Sequence, residues 1–311
     1  MVMGDGDGWA RCGRGHIHWG RHGASGLLAF HRDEPGAEPY VLLQQRAWWC
    51  NGGGTWGMFG GAGHSHEGEV AAALRETAEE STLTPDDVRV YGTMTDDHGG
   101  WSFTSVIAAA PERVVVRPAS LETRDAAWER AADIERMRLF APFAESWPRL
   151  RTVLLRPVLV VDAANVMGAR ADGWWRDRAG AAVRLRDDLI GLLDEGMTGI
   201  PPYDRCFPEI VLVVEGAAAR GPVADGGHVP GGARRGAPAL RVVRAPGSGD
   251  DAIVDVVREA DPDAAYVVVT ADRELRSRCE ALGASVIGPR TLLEQLEKPR
   301  ARSSGGGAPG R

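Results

Sequence analysis

The stretch GAGHSHEGEVAAALRETAEESTL, Gly61 to Leu83, carries five acidic side chains and sets Glu76, Glu79 and Glu80 within little more than one helical turn. At about 100° per residue, Glu69, Glu76 and Glu80 fall within roughly 40° of one another, while Val70, Leu74 and Thr77 make a separate stripe fit for burial. The spacing predicts a helix over 67–80 with one acidic face. Like charges at i,i+4 cost about 0.2–0.5 kcal/mol per pair, and more in a cleft of low dielectric. Something positive should therefore sit among these carboxylates. One reading is a solvated face with Arg75 as partner. The other is a hard divalent ion, Mg2+ or Mn2+, which takes carboxylate oxygens and water and bridges to substrate phosphates.

Working outward, GLLAF (26–30) and PYVLLQQR (39–46) read as strands, and the glycine-rich turn CNGGGTWGMFGG leads into the helix. After the helix, VRVYGTMT and WSFTSVIAAA concentrate β-branched and aromatic residues, as strands do. From residue 157 the rhythm changes. Val-rich runs, VLVVDAANV, EIVLVVEG and AYVVVTAD, alternate with helical patterns, which predicts a parallel sheet with helices on both faces. The reading divides the chain into a flexible leader (1–19), a first domain (20–145), a linker (146–156), a second domain (157–297) and a disordered tail (298–311). Within the second domain, residues 216–239 are too rich in Gly and Pro for an element and read as a mobile loop.

The bulk numbers exclude several classes. A hydrophobic content of 43% with 25% charged residues is that of a soluble globular protein. With 36 basic against 43 acidic residues, the net charge of -7 gives no overall attraction to nucleic acid or anionic membrane, so a polyanionic substrate must be held locally. Lys298 is the one lysine, which rules out a P-loop lysine. Four scattered cysteines fit reduced thiols better than a disulfide framework. The first residues lack an apolar targeting core and no later run approaches the ~18 apolar residues of a spanning helix, so a cytoplasmic location with no membrane partner is expected.

The opening stretch resembles the Nudix box, in which Gly, five residues, Glu and seven residues precede Arg-Glu-aliphatic-any-Glu-Glu-any-Gly-aliphatic. Gly61, Glu67, Arg75, Glu76, Glu79, Glu80 and Leu83 match seven of nine defined positions. Thr77 stands for an aliphatic residue and Thr82 for a glycine, so the helix exit should differ; upstream, Phe59 stands for the usual proline. The resemblance implies a Nudix α/β/α sandwich with a mixed sheet, and a hydrolase acting on a nucleoside diphosphate linked to another group. It implies that Glu76, Glu79 and Glu80 bind Mg2+ or Mn2+, that Glu76 also orients or deprotonates the attacking water, and that Arg75 and Glu67 form an internal ion pair. Gly60 and Gly61 would line the site, and Trp101 is a candidate to stack on the base, as are Trp48, Trp49 and Trp56; for any one of these tryptophans, core packing is the competing role. Relatives of this kind are often homodimers.

A second set of acids follows the strands of the second half. Asp162, Glu215, Asp250, Asp251 and Asp272 can converge at the carboxyl edge of a parallel sheet, although Asp250 and Asp272 also sit where helix caps belong. The motifs VVDAANV, GSGDDAIV and VVVTADREL resemble the NYN branch of PIN-like nucleases, a Rossmann-like parallel fold. That resemblance implies Mg2+ or Mn2+ on Asp162, Asp250, Asp251 and Asp272, Asn165 as a further polar group, and RNA as substrate. A helix acid would come from Asp188 or its neighbour Asp187. Trp174, Trp175, Arg176, Arg234 and Arg235 are secondary candidates for RNA contact. In the leader, Cys12, His16, His18 and His22 lie close together; His18 and His22 have zinc-ligand spacing, but the cysteine lacks a partner. Taken together, the sequence predicts a nucleotide hydrolase fused to a ribonuclease-like domain. The competing reading is a nucleotide-sensing regulator whose first domain binds without efficient turnover.

Overall fold

The structure is a computed structural model that describes residues 4–170, 173–226, 239–259 and 261–297. The first part of the chain forms β1 (Trp9–Arg11), β2 (Ile17–Trp19), β3 (Ala24–His31), β4 (Tyr40–Arg46), β5 (Trp56–Gly57), β6 (Phe59–Ala62), α1 (Glu69–Glu80), β7 (Arg89–Asp97), β8 (Ser102–Ala109), β9 (Thr123–Arg130) and α2 (Ala141–Leu150). The second forms β10 (Arg156–Asp162), α3 (Ala163–Gly168), α4 (Arg178–Glu195), β11 (Arg205–Cys206), β12 (Glu209–Val214), α5 (Gly216–Ala219), β13 (Leu240–Arg244), α6 (Gly249–Arg258), β14 (Ala264–Val269), α7 (Arg273–Glu280), β15 (Ser285–Ile287) and α8 (Pro289–Leu296). Among the described residues, no helix is long and apolar enough to cross a membrane. Most of the Gly-rich insert, 227–238 with Arg234 and Arg235, and the tail 298–311 lie outside the described residues.

The first sheet is mixed. β3 runs parallel to β8 and antiparallel to β4 and β6, β7 is antiparallel to β8, and β9 is antiparallel to β4. α1 lies against β3 and β6 through the small residues Ala72 and Ala73, both buried, and Val70 and Leu74 pack partly buried against the same core. Phe59 replaces a family proline with apolar volume: it is buried with Leu27, Leu83 and Val106 and pairs with Leu27 across the sheet.

The two threonines of the helix have local explanations. Thr77 is buried, and its hydroxyl donates to the Ala73 carbonyl at 2.7 Å, which satisfies a polar atom that would otherwise be costly there. At Ser81 the chain leaves the helix extended, with φ -146° and ψ 175°, so Thr82 never needs the left-handed conformation a glycine would supply. The exit is fixed instead by Thr82 N–H donating to the Arg117 carbonyl at 3.0 Å, Arg117 N–H donating to the Thr82 hydroxyl at 3.0 Å, and Ala119 N–H donating to the Glu80 carbonyl at 2.9 Å.

The second sheet is all parallel, in the order β13-β12-β10-β14-β15. Val158, Leu159, Val160 and Val161 of central β10 are buried on both sides, as a near-continuous apolar run requires. Ile253, Val254, Leu275 and Cys279 of α6 and α7 cover one face, and Val166, Leu185, Leu189 and Leu292 of α3, α4 and α8 cover the other.

The two parts share a core. Residues 146–156, expected as a linker, include Trp147, Leu150, Val153 and Leu154, all buried in a cluster that also holds Leu28 and Met94 from the first sheet and Leu159 and Leu185 from the second half. β11 pairs antiparallel with β7, Cys206 opposite Gly92, so the second half adds a strand to the first half's sheet. Around this seam Glu209 accepts from Tyr91 Oη at 3.1 Å and pairs with Arg89 at 3.1 Å and Arg156 at 3.2 Å. Trp147→Ala should therefore destabilise both parts together, by about 3–5 kcal/mol. Denaturant unfolding followed by far-ultraviolet circular dichroism and by tryptophan fluorescence should give one coincident, shifted transition.

Candidate functional site

The loop before α1 and the helix itself are held together by Arg75. Its Nη2 donates to Glu67 Oε1 at 2.6 Å and to the Ala62 carbonyl at 2.9 Å, its Nε donates to Glu67 Oε2 at 3.1 Å, and its Nη1 donates to Glu76 Oε1 at 2.8 Å. Glu67 closes the loop by accepting the His64 N–H at 2.8 Å. Burial alone would raise the Glu67 pKa, but the bonds from Arg75 and the His64 N–H outweigh it and hold the carboxyl below its usual range. Arg75 is kept charged, first by Glu67 and then by Glu76.

The acidic face predicted from spacing divides into three environments. Glu69 and Glu79 are exposed, and Glu79 reaches Arg75 only at 3.4 Å. Glu76 is half-buried, and its carboxylate lies against Gly61, where an added Cβ would meet Glu76 Oε2 at 2.4 Å; glycine is required there for the approach. Glu80 is buried, with Oε2 accepting from Gln44 Nε2 at 2.9 Å and from the Gly60 N–H at 3.2 Å. Burial, then the charge of Glu76, push Glu80 up to about 7 against the opposing Gly60 bond. Burial likewise raises Glu76, with Arg75 opposing and Glu79 and Asp7 adding to the rise. Gln44, which also accepts from Thr123 Oγ1 at 2.7 Å, is a residue that sequence reasoning missed. Its signal was a polar side chain in the run VLLQQ, where alternation puts Gln44 on the same face as buried Leu42.

Carboxylates thus outnumber cations beside Gly60 and Gly61, and burial raises the pKa of both Glu76 and Glu80, so their negative charge is not fully compensated there. An all-oxygen donor set in that state fits a hard divalent cation. Trp101 is placed otherwise than a free stacking platform: one ring face is covered by His18 at 3.9 Å between centroids, and its Nε1 donates to the Gly20 carbonyl at 2.9 Å. Trp48 and Trp49 are the exposed pair, on the loop after β4 whose Ala47 N–H donates to the Glu122 carbonyl at 2.8 Å.

In the second half, Asp162, Asn165, Glu215, Asp250 and Asp272 line one open cavity of about 770 Å³ at the carboxyl edge of the parallel sheet. Asp162 caps α3 by accepting the Asn165 N–H at 3.0 Å and accepts from Thr270 Oγ1 at 3.0 Å; Asn165 Oδ1 in turn accepts the Ala271 N–H at 3.1 Å. Glu215 accepts the Gly249 N–H at 2.7 Å, and Asp272 caps α7 through Leu275 N–H at 2.9 Å. Burial raises Asp162, and burial followed by the charges of Asp272 and Glu215 raises Asp250. Asp251 lies outside the lining and pairs with Arg278 at 2.7 Å. Asp188 pairs with Arg170 at 2.9 Å and Asp187 with Arg186 at 2.5 Å. Trp175 is exposed, whereas Trp174 packs partly buried against the shared core with Arg178 over its ring.

With this geometry described, the comparisons with known proteins place the first half. Residues 21–150 match the NUDIX domain family model. A Mycobacterium tuberculosis protein named "Putative 8-oxo-dGTP diphosphatase 3" is 40% identical over 158 residues, which are 49% of this chain and 72% of that protein. A "Nucleoside triphosphate pyrophosphatase/Nudix hydrolase fusion protein" of Bifidobacterium longum is 40% identical over 147 residues, 46% of this chain but only 30% of that relative's length. Among solved structures, a Nudix hydrolase from M. smegmatis, RenU, is 39% identical with a TM-score of 0.44, covering 48% of this chain and 94% of that one. The chain belongs to the Nudix family.

The raised Glu80 pKa has a consequence for cation-free protein. The folded state binds a proton on Glu80 more tightly than the unfolded state, so the contribution of Glu80 to stability is fully present below the unfolded carboxyl pKa of 4.5 and is lost as pH rises to about 7. In thermal melts with chelator, Glu80→Gln should flatten part of that fall, leaving a variant less sensitive to pH between 4.5 and 7 than the parent.

Proposed function

We propose that the first half hydrolyses the diphosphate linkage of a nucleoside-diphosphate derivative, an NTP or a damaged dNTP, with Mg2+ or Mn2+ held by Glu76, Glu79 and Glu80. The carrying observation is the placement of buried Glu80 and half-buried Glu76 next to Gly60 and Gly61, where the one guanidinium that reaches Glu76, that of Arg75, is shared with Glu67. The names of the Mycobacterium and Bifidobacterium relatives, an 8-oxo-dGTP diphosphatase and a nucleoside triphosphate pyrophosphatase fusion, support that substrate class. When bound, the cation supplies charge neutralisation at the phosphate oxygens and an acidified water. Glu76 would orient or deprotonate the attacking water, Glu80 shapes the floor of the site through Gly60 and Gln44, and Arg75 with Glu67 keeps loop and helix in register. Trp49 is the exposed candidate to meet a base, whereas Trp48 has Arg124 over its ring and Trp101 has His18 against its face.

With a panel that includes 8-oxo-dGTP and the ordinary dNTPs, magnesium-dependent release of pyrophosphate or phosphate is expected. Glu76→Gln should lower kcat/KM by about 10²–10⁴-fold. Full activity in Glu76→Gln and Glu80→Gln would rule the assignment out. Calorimetry showing tight nucleotide binding with no turnover would favour a nucleotide-sensing regulator instead.

We infer further that the second half is a PIN-like, metal-dependent ribonuclease. The support is the cavity lined by Asp162, Glu215, Asp250 and Asp272, four carboxylates against the single guanidinium of Arg290, with the pKa values of Asp162 and Asp250 raised. Asp250 rather than Asp251 then carries the metal role on α6. Asp162→Asn combined with Asp250→Asn should abolish manganese-dependent RNA cleavage and leave nucleotide hydrolysis intact. Cleavage that survives the pair would dismiss this reading without touching the first.

A further inference from the structure

The N-terminal hairpin carries a cluster that neither hydrolytic site uses. β1 and β2 pair antiparallel, with Ala10 opposite His18, so that Cys12 leaves one strand while His16 and His18 bracket the start of the other. The turn between β7 and β8 then comes across: Gly13 N–H donates to the Gly99 carbonyl at 2.5 Å, and Arg14 Nη2 donates to the Asp97 carbonyl at 2.7 Å. This brings His98 to the hairpin, its ring 4.8 Å from that of His18 and 6.3 Å from that of His16. One ligand atom from each of Cys12, His16, His18 and His98 lies within 4.8 Å of all the others.

We infer that Cys12, His16, His18 and His98 form a closed tetrahedral zinc site that fastens the hairpin to the β7–β8 turn. Zinc bonds of about 2.3 Å to sulfur and about 2.0–2.1 Å to nitrogen place neighbouring ligand atoms roughly 3.3–3.6 Å apart, so side-chain adjustments of about an ångström close the set. Two orphaned atoms point to such a ligand. His18 Nε2 and His98 Nδ1 are buried, and neither has a hydrogen-bond partner among the described residues. A buried ring nitrogen without a partner is unfavourable unless something else binds it. The other nitrogen of His98, Nε2, is held by Asp96 Oδ2 at 3.0 Å, the carboxylate support that commonly orients a metal-bound histidine. Cys12 is buried with no second cysteine beside it, so a disulfide is excluded. Burial, followed by the charges of His98 and His16, lowers the His18 pKa against Asp96, which favours the neutral ring that can donate a lone pair.

The donor set separates this site from the carboxylate sites. Imidazole and thiolate select zinc, whereas the all-oxygen clusters suit Mg2+ or Mn2+. Its position also gives it a task. Arg21 N–H donates to the Gly6 carbonyl at 2.8 Å and Gly20 N–H to the Gly8 carbonyl at 2.8 Å, and Asp5, carried on this strap, accepts from the Ser65 N–H at 3.3 Å and bonds His64 at 3.1 Å. A metal-fixed hairpin thus steadies the loop that leads to Glu67. The sequence-level group named His22; the fold supplies His98 instead.

Full-length protein stripped with a chelator and titrated with Co2+ tests this without reference to nucleotide turnover. About one equivalent should bind with the visible bands of a tetrahedral centre and a near-ultraviolet thiolate-to-cobalt charge-transfer band, all displaced by Zn2+. Cys12→Ser should remove the charge-transfer band, His98→Ala should weaken cobalt binding at least tenfold, and His22→Ala should change neither. Should Cys12→Ser fail to fold, Cys50→Ser keeps the question answerable: the band must persist in it, because Cys206 and Cys279 are buried elsewhere. Absence of the band from the parent protein, its loss in Cys50→Ser, or its persistence in folded Cys12→Ser would overturn the site.

Discussion

The fork between Arg75 and Glu67 is the contact on which the first half depends. Two parallel charge-assisted hydrogen bonds fix both the separation and the angle between loop and helix, which a single ammonium contact would not do. The same guanidinium reaches the Ala62 carbonyl at the end of β6 and Glu76 on the helix, so strand, loop and helix are registered by one planar group. Without it, Glu67 and Glu76 would lose the cation that bonds them, and mutual repulsion among Glu67, Glu76 and Glu80 would drive the loop away.

A second constraint couples this half to the rest. β11 covers the open edge of β7, a strand edge that would otherwise be left unpaired. Glu209, drawn on by Tyr91, Arg89 and Arg156, is satisfied only while both sheets are in place. Trp147 sits fully buried in the cluster common to both. Sheet edge, charge and core volume each therefore tie the halves together, and cutting the chain near residue 152 would expose all three.

How far the sequence revealed this differs by type of feature. The helix, its carboxylates and the parallel Val-rich strands follow from local periodicity, and the structure keeps them nearly at the expected bounds. Convergence of Asp162, Asp250 and Asp272 followed from a topological rule, because strand ends in a parallel sheet share an edge. What spacing could not supply was the partner from elsewhere in the chain. Asp251 is taken by Arg278 and Asp188 by Arg170, and no local pattern announces either pair. The β1–β2 hairpin was hidden because its strands are three residues each and rich in glycine at their ends. Nothing local to Trp101 signals that His18 lies against its ring face.

The departures from the family pattern bear on whether the first site is competent or merely a binder. A lost glycine just past the end of α1 would matter if it displaced Glu80, two residues back in the chain. Here the extended exit is anchored on the strand-like segment 117–119 by three backbone-centred hydrogen bonds, one of them accepted by the carbonyl of Glu80 itself. Thr77 keeps its place in the core by bonding back into its own helix, and Phe59 fills the volume beneath β6. Each substitution is absorbed within a few ångströms of where it occurs, and none reaches the carboxyl groups of Glu76, Glu79 or Glu80. Substitutions compensated so locally leave the donor geometry intact, which is the physical reason to favour hydrolysis over passive recognition at this site.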